Sequence, residues 1–168
     1  MKKILVVVLA AVMVAGCGGE QKNTGYQGAV TDKKDFIGLG MKYLEEGEAV
    51  KAIQSFDMAI RQDPRNPENY MVLGQVYLKL KQFPQAIDTF TAASEVAPNN
   101  GDILYFLALS RALDGRKEKA IEAAQASVNL FVKNRNEEGF KKAAALLQGL
   151  QNVSEDQKTL TEAPMPAK

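Results

Sequence analysis

The chain has 168 residues, 21 basic against 20 acidic side chains, a single cysteine and no histidine. A near-neutral balance gives no electrostatic footprint for nucleic acid, and one cysteine forms no internal disulfide. Without histidine the commonest general base and metal ligand is missing, so neither catalysis nor a metal or other cofactor is expected.

The first sixteen residues read as an export signal. Lys2 and Lys3 precede Ile4 to Val14, a run without polar side chains. A membrane-spanning helix needs about 20 apolar residues, so this shorter run fits a signal peptide. It ends in Val14-Ala15-Gly16-Cys17. That tetrapeptide resembles the lipobox of bacterial lipoproteins. The resemblance implies cleavage after residue 16 and lipid on Cys17, which becomes the mature N-terminus and carries two or three acyl chains. Two or more chains hold a protein to a membrane where one does so only marginally. The alternative is an incidental small residue beside an ordinary cleavage site. Residues 17–31 are polar and glycine-rich and read as a flexible tether, with a reach of roughly 20 Å for Gly18 to Thr31 by random-coil scaling.

From residue 32 a repeat of 34 residues takes over. Phe36, Leu39, Gly40, Tyr43, Ala52, Phe56, Ala59 and Pro64 return as Tyr70, Leu73, Gly74, Tyr77, Ala86, Phe90, Ala93 and Pro98. Positions i, i+3, i+4 and i+7 form one stripe of an amphipathic helix, and Ala52, Phe56 and Ala59 form the same stripe on a second. Small residues at Gly40 and Ala52 let two antiparallel helices approach, and Phe56 and Phe90 fill what the glycines vacate. Proline at 64 and 98 ends each second helix. Asp32, Asn66 and Asn100 stand 34 apart as N-caps, Pro67 sits at a first helical position, and Pro84 opens a second helix in the same way.

This pattern resembles the tetratricopeptide repeat (TPR), a helix–turn–helix unit. The fold class implied is all-α: a solenoid of three repeats, about 33–66, 67–100 and 101–134, with a closing helix 137–150, together the domain 32–150. Residues 151–168 are expected to be a disordered tail. The third repeat keeps Leu104, Leu107, Ala108 and Ala120 but has Arg111 for Tyr, Ala124 for Phe and Ser127 for Ala, so looser packing is expected there. In the closing helix Phe140, Ala143, Ala144 and Leu147 repeat the stripe behind an Asn136 cap. Lys141, Lys142 and Gln148 form its polar outer face.

The resemblance also implies that the first helix of each pair lines a concave groove. One step beyond the packing stripe stand Ile37 and Met41, Met71 and Gln75, and Tyr105 and Leu109. The row is mainly apolar, and methionine and tyrosine suit adaptable interfaces. It does not match the Lys and Asn clamp with which some TPR domains hold a peptide carboxylate. An apolar helix or extended segment of a protein partner fits better. Two other occupants stay open: a second copy in a homo-oligomer, or this chain's own Tyr26, Val30 or C-terminal helix.

The expected function is a lipid-anchored scaffold for assembling proteins of the bacterial envelope, resembling TPR lipoproteins that assist pili, secretion channels or outer-membrane complexes. A self-associating structural lipoprotein is the alternative. Gly18 after Cys17 is not the Asp that retains many lipoproteins at an inner membrane. In an organism with two membranes this favours the outer one, facing the periplasm.

Overall fold

The computed structural model describes residues 35–161, with side chains to residue 152. The predicted signal, Cys17, the tether and the Asp32 cap lie outside the described residues. Those residues hold seven helices and no strand: α1 (Phe36–Glu45), α2 (Ala49–Gln62), α3 (Pro67–Lys79), α4 (Phe83–Val96), α5 (Gly101–Leu113), α6 (Lys117–Lys133) and α7 (Glu137–Thr161). Each packs on the next across a short turn, so the helices alternate in direction and form hairpins α1–α2, α3–α4 and α5–α6, with α7 against α5 and α6.

One contact recurs along the stack. Phe56 and Phe90 are fully buried, and each ring lies on a glycine of the facing helix. A Cβ added to Gly40 would lie 2.5 Å from Phe56 Cε1, and one added to Gly74 would lie 2.6 Å from Phe90 Cζ. Neither position accepts even a methyl group without displacing an aromatic ring. Ala52 and Ala86, fully buried, keep the same helices close.

The third hairpin is as tightly packed as the others, contrary to the expectation from Ala124 and Ser127. Helix α6 runs 17 residues where α2 and α4 run 14, and the extra turn carries Phe131. Its ring fills the space above Gly101 of α5 and Gly139 of α7. The aromatic knob has moved seven residues along the helix, from position 124 to 131. Phe106 adds a second ring, stacked on Phe90 at 5.5 Å with planes 11° apart. Ser127 is buried and donates its hydroxyl to Gly101 O at 2.8 Å, so its polar atom is satisfied. Arg111, in place of tyrosine, donates from Nη1 to Lys119 O at 3.2 Å and ties α5 to α6. Burial lowers its pKa.

Three further expectations are corrected. Helix α1 starts at Phe36 with Asp35, not Asp32, as its cap: the Asp35 carboxylate accepts from Gly38 N at 2.7 Å. Helix α7 continues to Thr161 instead of ending at 150, because no proline stands between residue 137 and Pro164 and only Gly149 after Gly139 weakens the run. Its packing face is Gly139, Ala143, Leu146, Leu147 and Leu150, which leaves Phe140 outside. The other caps match their sequence positions. Asn66 accepts from Glu68 N at 3.0 Å, Asn100 from Asp102 N at 3.0 Å and Asn136 from Gly139 N at 2.9 Å.

The repeat junction has one polar tie that no periodicity announces. Asn69, buried, donates from Nδ2 to Ala59 O and Asp63 O, both at 3.1 Å. It is a second donor to both carbonyls, which already accept from Asp63 N and Asn66 N, and it ties α3 to the end of α2. Tyr70 adds its hydroxyl to Pro64 O at 3.0 Å.

The turns differ in strain. Gly47 and Gly115 take φ of 77° and 78°, whereas Lys81 and Arg135 take φ of 57° and 55° in equivalent left-handed positions. A side chain there is disfavoured, and glycine is the usual residue just past a helix end. Lys81→Gly is therefore expected to raise stability by about 0.5–1 kcal/mol, after allowing for the extra freedom glycine gives the unfolded chain. A urea midpoint that stays put or falls would remove the claim of strain.

Candidate protein-binding groove

The side of the stack that carries the six singled-out residues is made by α1, α3, α5 and α7, with α3 beside α5 and α5 beside α7. Within one helix, residues four apart share a face, which places Ile37 with Met41, Met71 with Gln75 and Tyr105 with Leu109. Their exposure differs. Met41 is 47% exposed and Gln75 is exposed, while Ile37, Met71, Tyr105 and Leu109 are half-buried.

The half-buried members also serve the core. Ile37 packs on the cluster of Ala52, Phe56, Leu73 and Val76. Met71 packs on that of Ala86, Ile87, Phe90 and Leu107. Tyr105 packs on Val128, Phe131 and Ala143 and meets Phe106 edge-on at 5.4 Å. Tyr105 thus leans on a cluster to which the closing helix contributes Ala143. Met41 and Gln75 are the members free to meet another surface.

One exposed apolar residue of the row has no counterpart among the six. Leu113 continues the α5 row one turn beyond Leu109 and is 50% exposed; the i+4 step that linked Tyr105 to Leu109 reaches it too. Lys142 is exposed, as its place on the outer polar face of α7 implies. The Glu138 carboxylate, one turn earlier, hydrogen-bonds its ammonium and raises its pKa, and Lys142 in turn lowers that of Glu138. Both are solvent-exposed, so the pair adds little to stability. Among the described residues no group of three or more His, Cys, Asp or Glu is placed to hold a metal.

Residues 43–112 match the family model of the tetratricopeptide repeat. The helical stack has the tetratricopeptide-repeat fold. Human superkiller complex protein 3 is similar at 28% identity over 97 residues, 58% of this chain and 6% of that protein. The Arabidopsis thaliana CTR9 homologue is similar at 31% over 104 residues, 60% of this chain and 10% of that one. The chain thus spans a tenth or less of the length of these relatives.

Among solved structures, a T3SS complex from Aeromonas hydrophila superposes with TM-score 0.67 at 17% identity, over 76% of this chain and 85% of that chain. PcrH in complex with the chaperone-binding region of PopD gives 0.66 at 17%, over 77% and 99%. The first TPR of Spaghetti bound to an HSP90 peptide gives 0.62 at 19%, over 71% and 90%. At these identities the likeness is one of fold. Among the described residues no helix is long and apolar enough to cross a membrane.

Proposed function

We propose that this TPR domain is the adaptor part of a lipid-anchored envelope protein. It would hold an apolar helix or extended segment of a protein partner along Ile37, Met41, Met71, Gln75, Tyr105 and Leu109. The observation that carries this reading is Met41: a large apolar side chain left 47% exposed on the face that α1 shares with the other first helices. TPR structures of the same fold hold protein segments, an HSP90 peptide in one and the chaperone-binding region of PopD in another. The anchoring half of the proposal rests on the basic start, the short apolar run and Val14-Ala15-Gly16-Cys17. The proposed place of work is the bacterial envelope, and the outer membrane facing the periplasm where two membranes exist.

Met41→Glu with Gln75→Arg probes the groove without disturbing the core, since neither side chain is buried. Losing one buried methionine contact costs about 2 kcal/mol, so the partner that co-purifies with the detergent-solubilised parent should bind about thirtyfold more weakly. Recovery of the same partner in the same amount would overturn the groove assignment. Loss of a dimer in light scattering would transfer it to self-association.

Cys17→Ser should yield protein that is unprocessed or released from the membrane fraction. Unchanged processing and membrane association would overturn the anchor.

A further inference from the structure

The turn between α6 and α7 carries a surface that the groove does not use. Val132, 59% exposed, and Phe140, 40% exposed, border a cavity of about 360 Å³ lined also by Phe131, Arg135, Asn136 and Glu137. Phe140 is outside because Gly139, not Phe140, meets the Phe131 ring. Around these two apolar side chains Lys133, Arg135 and Lys141 are all exposed. Among the described residues no ion pair engages them, while the neighbouring Glu138 is taken by Lys142. Glu137 is the single acid lining the cavity, so the local balance is positive although the whole chain is nearly neutral.

The topology gives this corner a direction. Because the helices alternate in direction, α1, α3, α5 and α7 all start on the same edge of the stack. The α6–α7 turn lies on that edge, and so does Asp35, where the chain enters the domain. Two apolar side chains fall far short of the roughly 800 Å² that each partner buries in a stable protein interface. They suit an interfacial contact, in which apolar groups enter the headgroup boundary and flanking cations meet anionic lipid.

We infer that this corner is a contact site for an anionic lipid surface, with Phe140 and Val132 entering the boundary layer and Lys133, Arg135 and Lys141 facing lipid phosphates. The contact orients the domain on a membrane and is independent of lipid on Cys17.

The test uses the chain from position 17 carrying Cys17→Ser, which keeps every described helix, sedimented with vesicles of equal phosphatidylglycerol and phosphatidylcholine or of phosphatidylcholine alone. Binding is expected to the mixed vesicles and not to the neutral ones, weakening as salt is raised. Phe140→Ser should lower partitioning by about tenfold or more. Lys133→Gln and Lys141→Gln should each lower it about fivefold, with the helical circular dichroism unchanged. Absence of binding to the mixed vesicles, or variants that bind like the parent, would overturn the proposal. So would a dimer in light scattering that depends on Phe140, which would give the patch to a second copy.

Discussion

The domain depends on aromatic rings seated against helix backbone that carries no side chain. Phe56 on Gly40, Phe90 on Gly74 and Phe131 between Gly101 and Gly139 are the same contact made three times. Glycine inside a helix costs about 1 kcal/mol against alanine. The stack recovers this by letting helices approach until a whole ring is enclosed, and burying such a ring contributes about 1.5–3 kcal/mol. Because each ring is enclosed by neighbouring helices only, stability accumulates along the stack from local interfaces, as in other repeat proteins.

Most of this was legible in the sequence because it is periodic. A 34-residue offset exposes Gly40 and Gly74 together with Phe56 and Phe90, and the prolines and asparagines keep the same beat. What escaped notice is what breaks the beat. Phe131 stands seven residues past its expected place, on a helix lengthened by one turn, so comparison at fixed offset saw only Ala124 and inferred loose packing. In α7 the glycine that meets a ring comes one residue before Phe140, and that single step turns an expected core residue outward. Asn69 was invisible for another reason. Its role is to tie α3 to the end of α2 through two carbonyls across the junction, which no hydrophobic pattern records.

The groove was legible as a row but not as a surface. Spacing placed Ile37, Met41, Met71, Gln75, Tyr105 and Leu109 on the first helices, yet could not say how much of each side chain the domain uses itself. Ile37, Met71 and Tyr105 lean on the core, whereas Met41 and Gln75 stand clear.

The most direct measurement is a double-mutant cycle at Gly74 and Phe90, followed by urea denaturation. If the ring occupies the space of the missing side chain, Gly74→Ala should destabilise the parent by about 1–3 kcal/mol through overpacking. In a Phe90→Leu background, where the ring is gone, the same change should cost little or should stabilise, giving a coupling of at least about 1 kcal/mol. Strictly additive effects would mean that ring and glycine do not share that space, and would contradict the account of how the stack is held together.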